Sequence, residues 1–299
     1  MLLAPIGAQA AGGAVRVLAP TSGWTLDFGQ ERCSLIREFG DADDKIRLQI
    51  DSFGPTPGYQ VMISGTLVAG SDAAPISEFR VGYSPDTGER EQMSMIVGKF
   101  AGENAVSFGP GFLPQATSAY AAALEFQRSI TAITVDFRRG KAFRLDTGSM
   151  AAPFAGMRKC VDDLVASWGV DPAVQRAVTR PPVLVDLPEG YTRVKVDLQD
   201  DRPGYTERRY QAIARAQARN ASGLVPRAGY VAPVRVMIDA TGQPTACVAQ
   251  VASASEAYKR SVCETFAGPY QPALDAEGRP VASFVQIGIS SSVVQVASN

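Results

Sequence analysis

The chain of 299 residues contains no histidine. That excludes Ser-His-Asp and Cys-His nucleophile systems and every His-ligated metal site. No S-x-x-K pair, no G-x-x-x-x-G-K-[ST] loop and no G-x-G-x-x-G run opening a helix occurs, so serine-lysine, P-loop and dinucleotide-binding chemistry lack their parts. No run of eighteen apolar residues is present, so this sequence holds no membrane-spanning helix. Lys and Arg nowhere concentrate and the formal net charge is −1, which argues against nucleic acid as a partner. "DADD" at 41–44 has the acidity of a calcium loop without its glycine or closing glutamate, and reads as a solvated turn. No cofactor or metal is implied.

What is present reads as globular. Hydrophobic residues make up 45% and charged residues 20%, and the length suffices for two domains. In "MLLAPIGAQAAGG", an apolar stretch runs into Ala8-Gln9-Ala10, an A-x-A cleavage pattern, so residues 1–13 read as the remnant of a secretory signal. Four cysteines stand at 33, 160, 247 and 263, none in C-x-x-C spacing. An even count in an exported chain points to disulfides.

Residues 22–113 are short apolar runs divided by Gly, Pro, Asp and Ser clusters, a succession of strands from "GWTLDFG" to "AVSFGPGFL". "SAYAAALEFQRSI" (118–130) predicts a helix, and "AITVDFRRGKAFRLDTG" a hairpin around Arg139-Gly140. Phe154, Met157, Val161, Leu164 and Trp168 then recur at helical spacing over 151–168. Residues 171–207, with "TRPPVLVDLPEG" and "DDRPG", have linker composition and at most one strand, "TRVKVDL". Beyond them "YQAIARAQARN" (210–220) predicts a helix, "VAPVRVMID" and "PTACVAQVAS" two strands, "SEAYKRSVCETFAG" a helix with Tyr258, Val262 and Phe266 on one face, and "VASFVQIGI" a last strand. The expectation is an α+β chain: a β-rich domain with two helices at 14–170, a linker at 171–207, and a small antiparallel sheet with helices on one face at 208–299.

Two Asp-Thr-Gly triads, Asp86-Thr87-Gly88 and Asp146-Thr147-Gly148, raise the question of an aspartic protease, in which two aspartates share one proton. The surroundings argue against it. Asp86 sits in "SPDTGERE", a charged turn, and Asp146 is followed by an amphipathic helix where that fold requires a strand. Asp146 reads as part of a strand-to-helix turn, with Ser149 as the helix N-cap.

Residues 231–289 resemble the C-terminal domain of TonB-type energy transducers, in its cysteine-containing form. The likeness lies in "VRVMIDATGQPTACVAQVASAS" and "AYKRSVCETFAGPYQPALDAEGRPVASFVQI", at Asp239, Gly242, Cys247, Cys263, Pro272, Ala273, Gly278 and Pro280. The resemblance implies a periplasmic module with a helix over three antiparallel strands that accepts an extended peptide at a sheet edge. The expected edge is the last strand, with Val281, Ser283, Val285 and Ile287. This sequence shows neither an N-terminal anchor nor a long Pro-rich spacer, and the "YP" that opens many members is absent. In the first domain, Trp24 with Cys33 among many short strands resembles the invasion-associated locus B type of small secreted β-domain.

The expected function is therefore that of a non-enzymatic periplasmic protein whose last third binds an envelope protein or an extended peptide segment. A TonB-type energy-transduction role and a protease using Asp146 stand as alternatives. Four cysteines allow three pairings. The domain split favours Cys33 with Cys160 and Cys247 with Cys263, because the other pairings bridge the linker.

Overall fold

The structure, a computed structural model, describes residues 15–68, 79–85, 91–92, 95–114, 120–137, 141–185, 191–193, 211–214, 231–250 and 256–290. The signal remnant at 1–13 and Asp86 lie outside the described residues. The fold class is α+β.

The first part of the chain runs through β1 (Arg16–Leu18), β2 (Thr25–Phe28), β3 (Cys33–Phe39), β4 (Ile46–Ser52) and β5 (Tyr59–Gly65). It continues with β6 (Phe79–Ser84), β7 (Glu91–Gln92), β8 (Met95–Phe100), β9 (Glu103–Gly111) and helix α1 (Tyr120–Ser129). The hairpin β10 (Ala132–Phe137) and β11 (Lys141–Asp146) leads into α2 (Ala151–Ser167). Two sheets result, ordered β2-β3-β4-β5-β9-β8 and β1-β11-β10-β6-β7. All pairings are antiparallel except β1 with β11.

Strand alternation explains the core. Leu35, Ile50 and Val61 are cross-strand neighbours in register, as are Leu48 and Ile63, and all five are buried. The α2 stripe of Phe154, Met157, Cys160, Val161 and Leu164 belongs to the same core as Tyr83, Ile133, Val135, Phe143 and Leu145 of the second sheet. Phe154 stacks on Tyr59 at 5.1 Å between ring centroids and meets Phe112 edge-on at 5.1 Å. Truncating such a residue costs about 3–5 kcal/mol. Ser149 is not the α2 cap: Met150 holds that position with no side-chain bond, and Ser149 Oγ accepts only a long bond from Ala151 N (3.4 Å).

The segment expected to be a linker is built structure over 171–185. Asp171 caps α3 (Pro172–Ala177), its carboxylate accepting from Ala173 N at 2.7 Å. Beyond it Thr179 N donates to Leu274 O, Leu274 N donates to Arg180 O, and β12 (Val183–Leu184) pairs with β17 (Tyr270–Gln271). Backbone pairing thus joins this segment to the last part of the chain.

There, β13 (Tyr191–Arg193), β14 (Gln211–Ala214), β15 (Val231–Ile238) and β16 (Pro244–Ala249) precede α4 (Glu256–Thr265). After β17 come β18 (Ala273–Leu274), β19 (Pro280–Val281) and β20 (Ser283–Ser290). The sheet order is β13-β14-β20-β15-β16. Residues 211–214 are a strand, not the start of a helix over 210–220: parallel pairing of Gln211–Ile213 with Gly288–Ser290 overrides the helical propensity of this Ala-rich run. On one face Val234, Val236, Ile238, Val285 and Ile287 pack with Val262 of α4 and with Phe266 just past its end. The other face is covered as well. Phe284 is part of the core of the first sheets and Met237 packs against it. The Arg235 guanidinium lies 3.7 Å above the Trp168 ring, whose edge meets Phe284 at 5.3 Å.

Candidate functional site

Ser283, Val285 and Ile287 are buried, and the last strand lies between β14 and β15 in the order of the sheet. Val281 belongs to β19 and pairs with Ala273. The other three lie on β20, which β15 flanks along Ser283–Ser290 and β14 only at Gly288–Ser290, past all three of them. Their side chains are 1%, 7% and 3% exposed, Val285 and Ile287 in the α4-facing core and Ser283 Oγ donating to Gln175 Oε1 at 2.7 Å. The sequence shows the alternation of β20 but not β14, which arrives from about 70 residues upstream and takes the place next to it.

Among the described residues the sheet ends at β13 on one side and at β16 on the other. β16 pairs only with β15, and its residues Thr245 and Ala246 are exposed while Cys247 and Val248 are half-buried. It is held at three points. The turn before it is closed by the Asp239 carboxylate, which accepts from Thr241 N, Thr241 Oγ1 and Gln243 N at 2.7–3.0 Å. These bonds, the Thr241 hydroxyl foremost, hold the Asp239 carboxyl below its usual range. Gly242 completes the turn at φ 90, and a Cβ there would stand 2.0 Å from Tyr270 O. The Cys247–Cys263 bridge ties β16 to α4 across 5.6 Å between Cα atoms. Past the strand, Gln250 Nε2 donates to Glu31 O at 3.0 Å. The outcome is a fixed strand that, among the described residues, is paired on one side only.

Cys33 and Cys160 form the second bridge, Cα atoms 6.1 Å apart, fastening α2 to β3. Asp146 ends β11 on the surface. The chain passes through Thr147 and Gly148, the latter at φ 60, and enters α2 after Met150. Arg37 Nη1 donates to Thr147 O at 2.8 Å and Nε to Ser22 O at 2.9 Å, pinning this turn to β3. Burial lowers the Arg37 pKa, with the charge of Asp146 opposing.

A separate concavity of about 260 Å³ is lined by residues from four places: the segment 52–59, α1, α2 and α3. Ser52, Thr56 and Tyr59 come from the first, Tyr120 and Leu124 from α1, Arg158, Val161 and Asp162 from α2 and Arg176 from α3. Burial raises the pKa of both phenols, so Tyr59 and Tyr120 stay protonated at neutral pH. No motif joins these positions in the sequence. Only the stripe of α2 and the Asp171-Pro172 helix start could have brought them to notice.

No protein-family model, curated protein or solved structure matches the chain. The two disulfides fit an exported protein. Among the described residues no helix is long and apolar enough to cross a membrane.

Proposed function

We propose that this is a non-enzymatic protein of the periplasm whose last third binds an extended segment of an envelope protein by β-strand addition along β16. The observation that carries this reading is the pairing of β16 on one side only among the described residues, with Thr245 and Ala246 exposed and the strand fixed to α4 by Cys247–Cys263. An edge strand presents unpaired N–H and C=O groups to a guest. The resemblance to TonB-type C-terminal domains supports the same mode of binding, transferred from the last strand to β16. A rigid edge loses little entropy when a peptide joins it.

The test is photo-crosslinking from position 246 of the full chain in the periplasm of a Gram-negative host, with exposed Val185 as the control position. The expected result is a discrete adduct from 246 that is absent from 185. In parallel, single prolines at 245 and 248 remove one backbone donor each and leave the crosslinker at 246 and the Cys247–Cys263 bridge in place. Those that point away from β15 should keep the fold and abolish the adduct. Identical crosslinking from both positions, or an adduct indifferent to every folded proline variant, would overturn the reading.

A further inference from the structure

The 260 Å³ concavity beside α2 holds an unbalanced charge. Two arginines, Arg158 and Arg176, and one carboxylate, Asp162, line it. Arg176 Nη1 is already paired with the Asp162 carboxylate. Arg158 Nη1 is buried and has no hydrogen-bond partner among the described residues. No ion pair to Arg158 is present among the described residues either, so its charge is the one left over at this wall. The rest of the wall is mixed: Pro55, Leu124 and Val161 are apolar, while Ser52, Thr56, Tyr59 and Tyr120 bring hydroxyls.

The wall is also set in advance. Ser52 Oγ donates to Gly54 O at 2.9 Å, Thr56 N donates to Gly54 O at 2.7 Å, and buried Gln127 Nε2 donates to Pro57 O at 2.7 Å. These bonds fix the 52–57 segment, so only the Arg158 side chain has to turn toward a ligand, and a wall fixed in advance spends little binding energy on ordering. A space of about 260 Å³ is well above what a single water needs and has room for a small organic molecule.

We propose that this concavity binds a small organic monocarboxylate, its carboxylate held by Arg158 and its apolar body against Leu124 and Val161. A planar carboxylate matches the guanidinium fork. A single negative charge balances the one cation left over, whereas a dianion would leave a buried charge unpaired. The apolar walls favour a carbon skeleton over a bare inorganic ion. This site is remote in sequence from β16 and independent of the strand-addition reading.

The experiment is calorimetric titration of the full chain with sodium benzoate, using benzamide as the neutral isostere and inorganic phosphate as the competing anion. Benzoate should bind saturably at one site, with benzamide at least about tenfold weaker and phosphate unable to displace it. Arg158→Gln should weaken benzoate by about 10- to 100-fold. Leu124→Trp, placed on a half-buried α1 position, should fill the space and block binding while leaving the guanidinium in place. Benzoate should raise the melting temperature of the parent chain and of neither variant. If Arg158→Gln does not fold, Leu124→Trp and the benzoate–benzamide comparison still decide the matter. Equal affinity for benzamide, unchanged benzoate affinity in either folded variant, phosphate binding where benzoate is silent, or no saturable benzoate binding at tens of millimolar would each overturn the proposal.

Discussion

Glu31→Gln, alone and combined with Arg235→Met, probes what holds the last sheet to the first part of the chain. The Arg235 side chain is 5% exposed and ion-paired with Glu31, whose side chain is 32% exposed. Burial lowers the Arg235 pKa, and the bond and charge of Glu31 offset that fall. Its Nε is buried and has no hydrogen-bond partner among the described residues. Removing one partner of a fully buried pair costs about 3–5 kcal/mol, because the other charge is left unneutralised. Glu31 is a third open to water, so we expect about 2 kcal/mol for Glu31→Gln. Arg235→Met removes the orphaned charge while keeping an apolar body over Trp168, and forfeits a cation–π contact worth about 1 kcal/mol. The double variant should therefore regain at least about half of the loss. Urea unfolding followed by tryptophan fluorescence reads this directly, since Trp168 touches Arg235; a Trp24→Phe background leaves it as the sole reporter of the chain's two tryptophans. A double variant as unstable as Glu31→Gln alone, or a Glu31→Gln midpoint equal to the parent's, would refute the reasoning.

Replacing Cys247 and Cys263 with alanine opens a loop with a separation of 16 residues and should cost about 3 kcal/mol on the chain-entropy view; an unchanged urea midpoint would contradict it. Asp51 accepts from Ser34 Oγ at 2.5 Å and from Gln49 Nε2 at 3.0 Å, yet burial, the largest influence, raises its pKa. The folded state thus binds that proton more tightly than the unfolded chain, so the contribution is complete below the ordinary carboxylate range and is lost as pH rises through the raised value. Asp51→Asn should flatten stability against pH across that window, and an unaltered slope would exclude this origin. Gly242→Ala, at φ 90 with Tyr270 O 2.0 Å from the new Cβ, should lose at least about 2 kcal/mol; a melting temperature within a degree of the parent's would show that the turn yields.

The elements that could be read from sequence are those whose signal is local. β4 and β5 alternate over seven residues each, and α2 carries its stripe through four turns. What escaped was decided by distant partners. β1 is three residues long and exists because Arg16–Leu18 lies parallel to Phe143–Leu145. Residues 211–214 look helical and are a strand because β20 is beside them. In 171–185 the prolines suggested a tether, although Asp171 before Pro172 is a helix start that could have been recognised. The same limit applies to sites. The β20 residues were read as an edge because alternation says which face is buried but not which neighbours a strand has. The concavity by Arg158 draws on four separated segments, and no spacing along the chain announces such a meeting.

The order of the cysteines has a consequence for how the molecule is made. First joins second and third joins fourth, with no interleaving. A chain delivered N-terminus first into an oxidising space shows Cys33 alone, and the next thiol to appear is its proper mate. By the time Cys247 emerges, the earlier two can already be sealed, and Cys263 follows 16 residues later. Vectorial delivery thereby sorts the three conceivable pairings without any shuffling of bonds. A reduced, denatured chain refolded all at once loses that ordering and meets all four thiols together.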